Sequence, residues 1–258
     1  MRRLTTLLSF LVLLCNACTL SGLAGNTPSP TMEIQTQPQA EARTEVPSPA
    51  LATPTNAQIL EGPNINYNVI RFTLDPAIGS RLYVFDDVTT IDGLTAHNTR
   101  FALTSEEYCQ TWCLIVYPIT DFTRAFGTFV FPPAGYRGGA VVIFKAKEIS
   151  FSFQNGNGDR ELETFGQDHY KVSNESLKYV FRGYSADKQY GIFVQAPIHA
   201  SNLLDVPPTM TTNGNSVQGI LEYNQQAAQS MNALTPADFT PNIDLLDALV
   251  ASIYMGMP

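Results

Sequence analysis

Cys109 and Cys113 are the residues here whose type and spacing most directly suggest chemistry. Two thiols this close can form a disulfide, ligate a metal or cycle between oxidation states. In Cys109-Gln110-Thr111-Trp112-Cys113 a turn would bring the two α-carbons within bridging reach. Redox motifs favour the shorter Cys-x-x-Cys, and a metal needs further ligands, which no nearby histidine supplies. A structural disulfide that pins Trp112 is expected, with free thiols and a metal site as alternatives. His97, His169 and His199 lie far apart and show no ligand spacing. Asp168-His169-Tyr170 could hold an acid–base pair, but adjacent strand residues point to opposite faces, so a solvated loop is expected. Asp86-Asp87 lacks the ligand count that calcium wants. No nucleophile elbow, Walker loop, dinucleotide fingerprint or zinc-protease helix occurs. The residues therefore point to no catalytic group, no metal site and no cofactor.

The elements that would position these residues read mainly as strands. Stretches 67–72 and 81–85 are rich in β-branched and aromatic residues, with Asp75-Pro76 and Gly79 as the turn between them. Residues 113–117 form an apolar run ended by Pro118, as in a central strand, and Asp121 could cap a short helix through Phe126. Ile149, Phe151 and Phe153 alternate strictly with serines. Asn155-Gly156-Asn157-Gly158 suits a tight hairpin turn, and 160–165 is the returning strand. Because that glycine-rich stretch joins two strands rather than a strand and a helix, it reads as a turn and not as a phosphate cradle. Val142, Phe144 and Ala146 are out of phase with Ile149, which places a bulge near 145–147. A second hairpin runs through Leu177, Tyr179 and Phe181, turns at 185–188 and returns through Tyr190, Ile192 and Val194. The aromatic residues of both hairpins are expected in the core, with a binding face as the alternative.

Towards the C-terminus the period changes. Val217, Ile220, Leu221, Ala228 and Met231 share a helical face. Thr240 and Pro241 could then open a last helix whose stripe is Ile243, Leu246, Val250 and Ile253, with Gly256 suited to ending it. The expected class is α+β: an antiparallel sheet packed against helices on one face, two of them C-terminal. A β-sandwich with a helical tail is the alternative.

The N-terminus says where the domain works. Arg2 and Arg3 precede an apolar run, 4–14, which is too short to cross a bilayer and has the pattern of a secretory signal. Cys15-Asn16-Ala17-Cys18 follows and resembles the lipobox of bacterial lipoproteins, although Cys15 stands where that family usually has leucine. The resemblance implies that residues 1–17 are removed and that Cys18 becomes a lipid-bearing N-terminus; ordinary cleavage after Ala24 is the rival. Lasting attachment takes more than one acyl chain. Residues 18–57 then form a tether with Pro28, Pro30, Pro38, Pro47, Pro49 and Pro54 and no aromatic residue. Such a segment cannot offset its ordering entropy. Its reach lies between roughly 35 Å as a coil and about 120 Å as a polyproline rod. Residues 58–258 suffice for one well-buried α+β domain. Stretches 152–160, 177–184 and 195–199 are similar to uncharacterised exported lipoproteins of Chloroflexus-like bacteria, a likeness that implies fold outline and location but no chemistry.

Net charge is −8, and loss of Arg2 and Arg3 makes the exported form more acidic still. A scattered negative charge repels phosphate backbones, so nucleic acid is not an expected partner. The function expected is a lipid-anchored, extracytoplasmic envelope protein whose non-catalytic domain binds or supports an envelope protein, a polymer or a small ligand. An extracytoplasmic hydrolase with a site built from distant residues, and a solute-binding module, are the alternatives.

Overall fold

Turn chemistry sets the order of the strands. The computed structural model describes residues 57–91, 93–105, 109, 112–131, 141–206 and 216–256. The expected export signal, Cys18 and the expected tether through residue 56 lie outside the described residues. The strands are β1 (Gln58–Glu61), β2 (Asn64–Tyr67), β3 (Ile70–Thr73), β4 (Arg81–Ile91), β5 (Leu94–Ala102) and β6 (Cys113–Pro118). Then come β7 (Val141–Phe153), β8 (Gly156–Gly166), β9 (Lys178–Ser185), β10 (Tyr190–Pro197), β11 (His199–Ala200), β12 (Phe239–Thr240) and β13 (Tyr254–Met255). Helices α1 (Ile119–Phe126), α2 (Val217–Asn232) and α3 (Ile243–Ala251) complete the order. An open eight-stranded antiparallel sheet runs β1-β4-β5-β6-β10-β9-β8-β7, beside a three-stranded sheet β13-β3-β2 and the pair β11-β12. The class is α+β and mostly β.

Local sequence explains most boundaries, and four differ from the expected ones. Residues 67–72 are not one strand: Asn68, at φ +48°, turns the chain between β2 and β3, a conformation asparagine tolerates better than branched residues. Asp121 does not cap α1. Pro118 precedes that helix, and Asp121 instead pairs with Arg124 at 3.0 Å. Asn242 rather than Thr240 caps α3, its side chain accepting from Asp244 N at 2.8 Å, while Thr240 pairs in β12. In the β7–β8 hairpin Phe153 pairs with Gly156, so Gln154-Asn155 is the turn and Gly156 and Gly158 lie inside β8. Those glycines are there for space: a Cβ on Gly156 would sit 2.4 Å from the Tyr184 carbonyl oxygen, and one on Gly158 2.3 Å from that of Arg182. The irregularity expected near 145–147 is present as register shifts at 142/144 and 146/149, with Lys147 at φ +54°.

Alternate residues of the strands feed two buried clusters. Tyr179, Phe181, Ile192 and Val194 join Leu246, Leu249 and Val250 of α3 and Met231 of α2. Val180 and Phe193 join Tyr117 and Phe122 of α1 instead. In that second cluster Phe122 lies edge-on to Tyr117 at 5.0 Å. Arg160 ties β8 to α3. Its guanidinium donates to Asp247 at 3.1 and 3.3 Å and to the Lys147 carbonyl, and Tyr179 Oη donates to Asp247 at 2.8 Å. Burial, with Asp247 beside it, pushes the Tyr179 hydroxyl well above its ordinary pKa, so it remains a donor.

Candidate functional site

A polar cleft of about 440 Å³ is lined by Asn174, His199, Ser201, Asp205, Asp238 and Thr240, with Ala200, Leu203 and Ala237. Three separate stretches build it. Asn174, buried in the loop before β9, fixes the turn that follows β11. Its Oδ1 accepts from Ala200 N at 2.8 Å, and its Nδ2 reaches Leu203 O at 2.8 Å and Asp205 Oδ1 at 3.2 Å. The opposite wall is the short turn before β12, where Asp238 Oδ2 accepts from Thr235 N and Oγ1, each at 2.7 Å. Those bonds hold the Asp238 carboxyl below its ordinary pKa, so the cleft keeps an ionised acceptor in near-neutral solution. A smaller cavity of about 200 Å³ adjoins through Leu203 and is lined by Asn202, Tyr223, Gln226 and Ser230.

His199, Asp205 and Ser201 share the cleft, which raises the question of nucleophilic catalysis. His199 Nδ1 stands 3.8 Å from Asp205 Oδ1, and the two side chains are 56% and 80% exposed. That separation is beyond hydrogen-bond reach, and solvated groups gain little from each other. What the cleft offers is a mixture of donors and acceptors facing water, suited to hydroxyl-bearing ligands.

The other residues singled out in the sequence are dispersed. Cys109 and Cys113 are paired at disulfide distance, with α-carbons 5.5 Å apart. Gln195 Nε2 donates to the Cys109 carbonyl at 2.6 Å, while Trp112 is buried near Phe72. His97, Asp168 and His169 are exposed on other parts of the surface. Asp86 and Asp87 go to different partners: Asp87 pairs with Arg100, and Asp86 accepts from Thr99 at 3.5 Å. The hairpin aromatics Phe153, Tyr179 and Phe181 are core residues. Among the described residues no group of three or more His, Cys, Asp or Glu is placed to hold a metal ion, and no helix is long and apolar enough to cross a membrane.

Sequence reasoning missed a charged row on the sheet. Glu161 and Glu163 of β8 stand beside Lys145 of β7 and Arg182 of β9. Arg182 holds both oxygens of the fully buried Glu163, at 2.9 and 2.7 Å. Lys145 contacts Glu161 and stands 3.7 Å from Glu163. Burial pushes the Glu163 carboxyl above its ordinary pKa despite Arg182. For Glu161 burial acts upward too, but hydrogen bonds to Glu163 and Lys145 outweigh it and hold the group low. The period-two placement of Glu161 and Glu163 around Leu162 was the available signal, and it normally marks a solvated face.

Compared with known proteins, the chain matches no family model, no curated protein and no solved structure.

Proposed function

We propose that this chain is a lipid-anchored cell-envelope protein whose globular part binds a hydroxyl-rich wall polymer without transforming it. In this reading residues 1–17 direct export, Cys18 carries the lipid and 18–57 hold the domain away from the surface. The sheet is covered on its first-cluster face by α2 and α3. The likeness to exported lipoproteins supports the location. The observation that carries the binding role is the cleft, in which His199, Ser201, Asp205 and Thr240 present donors and acceptors to solvent around the buried Asn174. An uncharged polysaccharide meets no repulsion from an acidic surface, whereas a phosphate-rich polymer would.

A hydrolase reading draws on the presence of His199, Ser201 and Asp205 in one cleft. It is disfavoured because a general base must reach the proton it takes and be oriented by its partner, and the His199–Asp205 gap of 3.8 Å orients nothing.

Co-sedimentation of the full-length protein with purified envelope polysaccharide tests the binding role. The unaltered protein should sediment with the polymer. The double variant His199→Ala/Asp205→Ala should bind about tenfold more weakly, the loss expected when a hydrogen bond to a charged group is removed. Equal retention of a variant with an unchanged melting curve would remove the cleft from the account.

A further inference from the structure

The smaller cavity, of about 200 Å³, is built from two elements. Tyr223, Gln226, Ala227 and Ser230 line it from α2, at spacings that share one side of a helix. Asn202 and Leu203 come from the turn after β11, the same turn that gives Ser201 to the larger cleft, and Leu203 lines both spaces. Asn202 Nδ2 donates to Ser230 Oγ at 2.6 Å, which ties the turn to α2. Tyr223 is fixed as well. Its Oη donates to Val172 O at 3.3 Å, and Lys171 Nζ lies over its ring at 5.3 Å. Beside it Asn224 accepts from Val172 N at 2.9 Å and donates to Tyr170 O at 3.0 Å. The wall is therefore set before any ligand arrives, which lowers the cost of binding.

The lining divides by chemistry. Leu203, Tyr223 and Ala227 offer apolar surface, while Asn202, Gln226 and Ser230 offer amides and a hydroxyl. Among the described residues no Asp, Glu, Lys, Arg or His lines this cavity. Gln226 is exposed, and its side chain makes no hydrogen bond among the described residues, so its amide can both donate to and accept from a ligand. A pyranose whose hydroxyls are all equatorial is divided in the same way: C–H bonds cover its two faces and hydroxyls ring its edge. One face can pack on the Tyr223 wall while edge hydroxyls meet the amides. The space of about 200 Å³ falls below the roughly 300 Å³ at which drug-sized pockets begin, so it suits a single sugar ring.

We infer that this cavity is a second sugar subsite, and that the ligand is a linear glycan of hexopyranose units with equatorial hydroxyls, running from the cleft over Leu203 to Tyr223. The inference rests on the polymer-binding reading of the cleft. One unit lies among His199, Ser201, Asp205 and Thr240 and is held by hydrogen bonds; a further unit packs against the Tyr223 wall and bonds to Gln226. Because the glycan itself joins the two subsites, filling the second is an intramolecular step that multiplies the affinity. A free monosaccharide gains nothing from that arrangement. A purely structural role accounts for Asn202 and Tyr223, which bond within the protein, but not for the open Gln226 beside them.

Calorimetric titration of the full-length protein with cellotetraose and with glucose tests this. The unaltered protein should bind the tetraose about a hundredfold more tightly than glucose. Tyr223→Ala should erase most of that advantage, and Tyr223→Phe, which keeps the apolar wall, should preserve it. Gln226→Ala removes an exposed side chain without an internal bond, so it should leave the melting curve unchanged and weaken tetraose binding about fivefold; it decides the matter if Tyr223→Ala does not fold. A tetraose bound no better than glucose overturns the inference. So does tetraose binding that Gln226→Ala and a folded Tyr223→Ala leave intact, and if His199→Ala/Asp205→Ala still weakens it, the cleft reading stands alone. An unaltered protein that ignores cellotetraose but sediments with envelope polysaccharide likewise overturns the inference and spares the reading beneath it, whereas one that does neither overturns both.

Discussion

Asp247→Ala is expected to destabilise the fold by about 3 kcal/mol, the cost of leaving a buried charge without its partner. For a domain of this size that is a melting-temperature drop of roughly 6–12 °C. Arg160 retains only 6% of its side-chain exposure and faces Asp247 at 3.1 Å. Removing the carboxylate leaves the guanidinium with the Lys147 carbonyl as its one remaining acceptor among the described residues and also takes the acceptor of Tyr179 Oη. Three elements lose a common tie: the bulged end of β7, the middle of β8 and α3. The double variant Arg160→Met/Asp247→Leu should recover much of the loss, because replacing both members of a buried pair by apolar groups is close to neutral. Thermal melts of the three proteins check this. A single variant as stable as the unaltered chain would mean that the pair holds nothing together.

Gly158→Ala should cost about 3 kcal/mol, the upper part of the range for overfilling a packed site. Its new Cβ would lie 2.3 Å from the Arg182 carbonyl oxygen, 2.5 Å from Gly183 Cα and 2.7 Å from Phe181 Cζ. Two of these are backbone atoms, so a rotamer change cannot relieve the clash. β8 is hydrogen-bonded on both sides, to β7 and β9, and cannot retreat without breaking a ladder. Gly127→Ala is the control. That glycine closes α1 at φ +77° with open space around it, and the penalty there is the left-handed conformation alone, about 1 kcal/mol. Urea unfolding of both variants should separate them clearly, and equal midpoints would contradict the close approach of β8 and β9.

Period and turn chemistry carried the sequence reading where structure is local. The alternation at Ile149, Phe151 and Phe153 appears as the end of β7, and the phase break with Phe144 and Ala146 appears as two register shifts. The β4–β5 hairpin was legible but unread: Asp92-Gly93 sits between Ile91 and Leu94, which pair, and Gly93 has φ +80°. Asn155-Gly156-Asn157-Gly158 misled because glycine serves two purposes. It permits a turn, and it also permits two backbones to meet. The turn residues have a further task that no local pattern encodes: Asn155 Oδ1 accepts from Met255 N at 2.8 Å, and Gln154 N donates to Ile253 O at 3.1 Å. The α3 boundary slipped by two residues because Thr240 satisfies its backbone in β12, leaving the cap to Asn242.

The candidate site was hardly legible. Asn174, the 199–205 turn and Asp238 come from three separated stretches, and only their tertiary meeting makes a cleft. The charged row was hidden for another reason. Glu161 and Glu163 occupy positions that water normally claims, and only pairing with Lys145 and Arg182 makes their burial tolerable.

The proposed function rests most on the proposed export and lipid anchoring of the chain. Fractionation of cells expressing the unaltered protein and its Cys18→Ser variant, with intact mass of each, addresses that directly. The unaltered protein should sediment with membranes and begin at an acylated Cys18, and the variant should lose that mass and its membrane retention. A variant that stays with the membranes, or an unaltered protein recovered from the cytosol with Met1 in place, would contradict it.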